Sequence, residues 1–437
     1  MRPVKVGLLG LGTVGCGTVN VLERNGQEIT RRAGREIEVT RAAAREPSRV
    51  RGCATQGITL TADPFDVVNA PDVDIVVELI GGYEPAHELV RTAIERGKHV
   101  VTANKALIAL HGNDLFARAQ EQGVMIAFEA AVAGGIPIIK AIREGLAGNT
   151  IEWLAGIING TGNFIMTEMA SRSREFDDVL AEAQRLGYAE SDPSFDIDGV
   201  DAAHKLTILA SIAFGIPLQF EQVYTQGIRE VTRDDVANAA YFGYRVKHLG
   251  IARRGEGGVE LRVHPTLIPE ARLIANVDGV MNAVLVYGDA VGPTLYYGAG
   301  AGADPTASAV VADLVDVARA LTSDPTNRVP HLAFQPDAIS DQAILPMDAV
   351  RSAYYLRLHA VDRPGVLADV THILGERGIS IEAMLQKTPA EGAEDVPVIM
   401  LTNRIEERFM REAIARIEQL EAVQGRVMMI RVESLAG

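Results

Sequence analysis

Apolar strands alternate with helix-length segments over the first third of the chain, and a glycine-rich turn joins the first strand to the first helix. Residues 351–437 then run strand, helix, strand, strand, helix, strand. These observations predict an α/β protein: a Rossmann-type dinucleotide-binding domain, an α+β middle domain with a mixed sheet, and a ferredoxin-like βαββαβ tail. At roughly 150 residues per domain, 437 residues accommodate the three.

Each element has a local reason. Val4 to Leu9, Glu36 to Ala44, Ile75 to Leu79, Val100 to Thr102 and Met125 to Glu129 are short apolar runs of strand length, separated by amphipathic stretches, the signature of βαβ units and a parallel sheet. From about Gly135 the pattern changes. Ile151 to Asn159 reads as a strand, Phe176 to Leu186 and Ala202 to Phe214 as helices, and Ala283 to Tyr287 with Pro293 to Tyr297 as two strands around a Gly-Asp loop. Gln335 to Val350, with two prolines among small polar residues, reads as a linker. The tail follows as strand Tyr354 to Ala360, helix Pro364 to Glu376, strands Ile379 to Leu385 and Val396 to Thr402, helix Ile405 to Gln419 and strand Arg426 to Val432. The expected domains are 1–134, 135–335 and 351–437 around a linker at 336–350, with the helix at about 305–321 able to return to the first domain.

Composition narrows the function. With 42 Lys+Arg against 57 Asp+Glu, a formal charge of −15 repels a phosphate backbone, so no nucleic-acid partner is expected. No apolar run approaches the ~20 residues of a membrane span, and the first residues enter a strand without a cleavable signal, so the expected location is cytoplasmic, with no membrane partner. Cys16 and Cys53 are too few for a disulfide framework or a thiolate zinc site, and read as two reduced thiols. The histidines lack the spacing of a transition-metal site.

Gly10-Leu11-Gly12-Thr13-Val14-Gly15 matches G-x-G-x-x-G after a strand and before a helix. The first glycine permits the tight turn, the second lets the backbone approach a pyrophosphate, and the third allows close packing, while the helix N-terminus favours the phosphates. The second strand ends at Ala44-Arg45-Glu46, with Arg49 and Arg51 nearby. An acid there would hold the ribose hydroxyls of NAD and a base the 2′-phosphate of NADP. Arg45 in the turn favours NADP, with NAD also usable.

Four segments carry a family resemblance: GLLGLGTVG at the start, VVTANKALIA around Lys105, NGTGNFIM around Thr161, and LGYAESDPSFDIDGVDAAHKLTILA. Over essentially residues 1–330 the chain resembles homoserine dehydrogenase, and the tail from YYLRLHAVDRPGVLADVTHIL resembles an ACT domain, an amino-acid-sensing module. The resemblance implies interconversion of L-aspartate 4-semialdehyde and L-homoserine with a nicotinamide cofactor, a middle domain that binds substrate and dimerises, and a homo-oligomer, dimer or tetramer.

Reducing an aldehyde requires a hydride and a proton for the developing alkoxide. Lys205 follows Asp201 by four residues in a helix, so both share one face, a spacing that an ordinary surface ion pair would also give. The resemblance makes Lys205 the proton donor and Asp201 its partner. Lys105, just after a strand at the carboxyl end of the sheet, reads equally as a solvent-facing helix start; the resemblance puts it at the junction of cofactor and substrate. It also implies Glu190 as partner for the substrate ammonium, and Gly187 and Gly302 against the cofactor; of the acids that follow, Asp196 is the one expected to join the substrate site, and Gly160 and Thr161 offer N–H and hydroxyl donors to the substrate carboxylate. Asp192 and Asp198 read as helix-capping acids. The segment with Glu129, Val132, Gly134 and Ile136 corresponds to the family's sodium site, built mainly from main-chain carbonyls. Gly162 departs from the threonine that many relatives carry.

In the tail, Asp362-Arg363-Pro364-Gly365-Val366-Leu367 leaves N–H groups facing outward at a helix start, a nest for an amino-acid carboxylate. The resemblance makes L-threonine the first-choice effector. Two other functions compete. Aspartate-semialdehyde dehydrogenase chemistry needs a cysteine nucleophile, and neither cysteine has that context. A non-catalytic sensor of dinucleotide and amino acid would dispense with Lys105 and Lys205, and both are present.

Overall fold

The computed structural model describes residues 2–49, 51–325, 328–387 and 395–436, which fall into two compact units. The first comprises Met1–Leu154, His204–Gln222 and Met281–Gln342; the second comprises Ala155–Ala203, Val223–Val280 and Ala343–Gly437.

In the first unit six parallel strands lie in the order Thr59–Thr61, Ile37–Ala43, Val4–Leu9, Ile75–Glu78, His99–Thr102 and Ile126–Ala127. Strands covered on both faces need apolar side chains on both, which is why Val4–Leu9 and Ile75–Glu78 are nearly continuous Val, Ile and Leu runs. The last strand is shorter than the apolar run Met125 to Glu129, because Glu129–Ala131 already turns. Helix Ala303–Ala320 packs on helix Thr13–Arg24 and shares a core with the first strand through Ala307, Val310, Leu314 and Val317. Strands Met281–Gly288 and Gly292–Ala299 form an antiparallel hairpin.

The second unit contains an antiparallel hairpin not foreseen from sequence, Tyr244–Gly255 with Gly258–Pro269, closed by Glu256-Gly257. Its second strand pairs in parallel with Val423–Val432, through Thr266 opposite Arg431 and Leu267 opposite Val432. Val423–Val432 is followed in the sheet by Arg351–Val361, Asp395–Thr402 and Ile381–Gln386. One face of these four tail strands, with Tyr354, Leu356 and Leu358, packs on helices Val366–Glu376 and Glu407–Ile417. The other, with Tyr355, Ile399 and Ile430, packs on helices Gly160–Arg172 and Arg233–Tyr241. The stretch read as a linker is pinned at its end: Val259 N donates to Ala343 O, Leu345 N donates to Val259 O, and Val350 is buried. Among the described residues, no helix is long and apolar enough to cross a membrane.

Candidate active site

The glycine turn opens a cleft of 940 Å³ in the first unit, lined by Gly10, Gly12, Thr13, Arg45, Arg49 and Asp304 among others. Gly10 has φ +99°, where an L side chain is strained, and a Cβ on Gly15 would stand 2.1 Å from Gly10 O. Nothing lies within 4 Å of where a Gly12 Cβ would be, leaving room for a pyrophosphate against the start of the helix. Val14 faces the core rather than the cleft. Arg45 and Arg49 are exposed, whereas Arg51 folds onto its own loop, donating to the carbonyls of Glu46, Pro47 and Arg49.

At the carboxyl end of the same sheet, Lys105 begins helix Lys105–Glu121 and is half-buried. Two residues missed from sequence set its position. Glu78 is fully buried and accepts hydrogen bonds from Ile80 N and Gly81 N at 2.8 and 3.0 Å and from Thr102 Oγ1 at 2.6 Å. Thr102 Oγ1 accepts from Asn104 N, and Asn104 Oδ1 accepts from Leu107 N, capping the helix that Lys105 opens. A carboxylate closing an otherwise apolar strand, Ile-Val-Val-Glu, was the available signal.

Strand Ile151–Ile157 delivers the chain to Asn159, in the second unit, the N-cap of helix Gly160–Arg172. Asn159 Oδ1 accepts from Gly162 N at 2.7 Å, and its amide donates to Asp196 at 2.7 Å and to Asp201 at 2.8 Å. Thr161 Oγ1 donates to Tyr188 O at 2.6 Å and lies 3.4 Å from Asp196 Oδ2. Gly160 is needed because a Cβ there would meet Val280 O at 2.8 Å. Thus Gly160, Thr161, Asp196 and Asp201 come together around Asn159, whose side chain sequence reasoning had overlooked although an N-cap asparagine was readable. Helix Val200–Phe214 carries buried Asp201 and, one turn later, half-buried Lys205. Glu190 is exposed on the neighbouring loop, and Gly187, with φ +76°, ends helix Phe176–Leu186. Asp192 caps Ser194 N at 3.1 Å, and Asp198 pairs with Arg229 at 2.5 Å. Gly302 is the N-cap of helix Ala303–Ala320, beside the cleft-lining Ala303 and Asp304.

The Glu129 carboxylate accepts from Ile139 N and Lys140 N, both at 2.9 Å, and its own N–H donates to Asp313 at 2.8 Å. That carboxylate is committed to a helix start, so a cation in the segment with Val132, Gly134 and Ile136 would rely on main-chain oxygens. Among the described residues, no cluster of three or more His, Cys, Asp or Glu side chains could hold a metal ion. In the tail, residues 360–367 with Gln386, Val396 and Val398 line a second cavity of 340 Å³.

Family models for the NAD-binding domain of homoserine dehydrogenase, for homoserine dehydrogenase and for the ACT domain match residues 10–129, 137–315 and 354–422. Homoserine dehydrogenase of Pseudomonas aeruginosa is 68% identical over 435 residues, covering 100% of both chains. The chain belongs to the homoserine dehydrogenase family. A crystal structure of the homoserine dehydrogenase from Thiobacillus denitrificans superposes with a TM-score of 0.95 at 66% identity, covering 100% of this chain and 99% of that one. A hyperthermophilic archaeal homoserine dehydrogenase in complex with NADPH superposes with a TM-score of 0.62 at 28% identity, over 72% of this chain and 98% of that one. The chain is therefore an oxidoreductase of amino-acid biosynthesis with a nicotinamide dinucleotide-binding domain and a C-terminal ACT domain, as the resemblance implied. Membership in this family removes the sensor and semialdehyde-dehydrogenase alternatives.

Proposed function

We propose that this homoserine dehydrogenase interconverts L-homoserine and L-aspartate 4-semialdehyde with NADP(H) in preference to NAD(H), and that Lys205 moves the proton. The observation that carries the mechanism is Asp201, buried and held by the Asn159 amide at 2.8 Å, one helical turn before Lys205. A carboxylate fixed in this way lies on the same helix face as Lys205, where it orients the ammonium that gives its proton to the developing alkoxide. A bound nicotinamide cofactor supplies the hydride acceptor and donor. Glu190 and Asp196 answer the substrate ammonium, while the main-chain N–H groups of Gly160 and Thr161, which open helix Gly160–Arg172, answer its carboxylate; the Thr161 hydroxyl is committed to Tyr188 O. Lys105, placed by Glu78 and Asn104, holds the reacting end against the cofactor.

Two arginines support the NADP preference: Arg45 and Arg49 stand exposed at the end of the second strand, where a 2′-phosphate would lie. The NADPH bound by the archaeal relative points the same way. Gly187 and Gly302 approach the cofactor, and a sodium ion is held by main-chain carbonyls of the segment containing Glu129, Val132, Gly134 and Ile136. The enzyme works as a homo-oligomer, dimer or tetramer, in the cytoplasm. L-Threonine binds the tail cavity at residues 362–367, whose Gly365, with φ +98°, presents the start of helix Val366–Glu376.

Cofactor absorbance during L-homoserine oxidation, with NADP or NAD and with or without L-threonine, tests these points together. Faster reduction of NADP that L-threonine slows is expected; an NAD preference or indifference to threonine overturns that part. Lys205→Ala is expected to lower kcat at least ~100-fold. Near-normal turnover would move the proton to Lys105 or water.

A further inference from the structure

The two cysteines, 37 positions apart in sequence, meet beside the dinucleotide cleft. Cys16 lies in the first turn of helix Thr13–Arg24 and lines the cleft, and Cys53 follows the arginine-bearing loop. The Cys53 thiol donates to Cys16 Sγ at 2.8 Å, and Cys16 in turn donates to Leu11 O at 3.5 Å. A second tie joins the same two segments, where Asn20 Nδ2 donates to Gly52 O at 2.9 Å. Both cysteines are half-buried, and of the two it is Cys16 that lines the cleft.

We propose that Cys16 and Cys53 form a thiol oxidation site, closing to an intramolecular disulfide that fastens the loop carrying Arg45, Arg49 and Arg51 to the helix of the glycine turn. The oxidant is a low-molecular-weight disulfide. The Cys16 sulfur attacks it, forming a mixed disulfide and releasing one thiol; the Cys53 sulfur then attacks Cys16 Sγ and releases the second. Two protein thiols are oxidised, one external disulfide is reduced to two thiols, and the protons lost by Cys16 and Cys53 pass to the departing thiolates. Burial, followed by the neighbouring Cys16 thiol, pushes the Cys53 thiol up to about 12, so Cys53 is a poor first attacker. Once Cys16 is in the mixed disulfide its contribution to that shift ends, and Cys53 is already within reach.

The full chain, incubated with oxidised glutathione, tests this by intact mass and a non-reducing peptide map. The expected product has lost two hydrogens, carries no glutathione, and yields a peptide pair joined through Cys16 and Cys53. Trypsin should cleave after Arg45, Arg49 and Arg51 several-fold more slowly in the oxidised protein. Cys53→Ser should stop at a stable glutathione adduct on Cys16. Independent adducts on both cysteines, or two unreacted thiols, overturn the proposal. Saturating NADP should slow the wild-type reaction by covering Cys16. That arm rests on the dinucleotide reading of the cleft, whereas the disulfide does not, so the two fail separately.

Discussion

The first unit's parallel sheet and the second unit's sheet solve the same problem, burial on both faces, with different side chains. Around the glycine turn the strands are Val, Ile and Leu, and the charged groups Arg45 and Arg49 stand at the cleft in water. Where strand Gly258–Pro269 meets Val423–Val432, the charges are inside. Arg431 and Glu407 are both fully buried and paired at 2.6 Å, and Arg431 also donates to Gln226 Oε1 at 2.8 Å and Tyr224 Oη at 3.1 Å. Arg262, likewise fully buried, pairs with Glu433 at 2.7 Å. Burial alone would raise the Glu433 carboxyl, yet Arg262 and Arg253 hold it at about 2. The contrast teaches that the strands of the first unit's sheet are held mainly by non-directional packing, with buried polar groups such as Glu78 at their ends, while the joint between middle domain and tail depends on specific charged partners.

The largest expected effect follows from that dependence. Glu407→Gln leaves Arg431 buried without its carboxylate and should cost about 3–5 kcal/mol in urea unfolding. Replacing both partners together, as Glu407→Leu with Arg431→Met, should recover most of the loss, and a double variant as unstable as the single would break the contrast. In the first unit, Gly15→Ala forces a Cβ against Gly10 O and should weaken dinucleotide binding roughly 10- to 100-fold in titration, with the tail's effector response intact.

Asp313 sharpens the comparison, since it is an acid buried in the first unit with, among the described residues, no close cationic partner of the kind Arg431 and Glu407 give each other. Burial pushes it up to about 7, with Lys140 opposing. An unfolded aspartate titrates at about 3.9, so the folded state holds this proton more tightly; the resulting stability is complete below about pH 4 and lost as pH rises through 7. Asp313→Asn should therefore match the wild type in Tm below about pH 4 and exceed it at pH 8, keeping an acceptor for Glu129 N. A wild-type Tm curve unchanged by the substitution would refute this.

The smallest effect concerns Gly162. His248 Nε2 donates to Gln226 O at 2.9 Å, its Nδ1 has no hydrogen-bond partner among the described residues, and burial lowers its pKa to about 4. A Cβ on Gly162 would stand 3.6 Å from that nitrogen and 3.3 Å from Asn159 Oδ1, which must give by a few tenths of an ångström. Gly162→Thr should offer Nδ1 a hydroxyl donor and raise stability by about 1 kcal/mol, read as a small increase in Tm.

The same contrast governs what was readable in the amino acids. The parallel strands and the tail's order are legible because their apolar periods are local. The hairpin at 244–269 was invisible because Lys247, His248, Arg262 and His264 look like surface residues, although all four are buried. Asp201 and Lys205 are legible as a pair by helical spacing. Glu78 and Asn159 were not, because each works through partners brought near only by the fold: Thr102 is 24 residues from Glu78, and Asp201 is 42 from Asn159.

The parallel pairing of Thr266 with Arg431 has a consequence during synthesis. The first six strands can assemble while the ribosome is still working, but strand Gly258–Pro269 emerges long before the strand that covers its edge. Until Val423–Val432 arrives, the edge at Thr266 and Leu267 stands open and Arg262 has Glu260 but not Glu433 as a partner, a non-local contact of the kind that folds slowly and invites association between chains. A nascent chain stalled within the tail would thus be a target for chaperones and proteases even with its dinucleotide cleft fully formed.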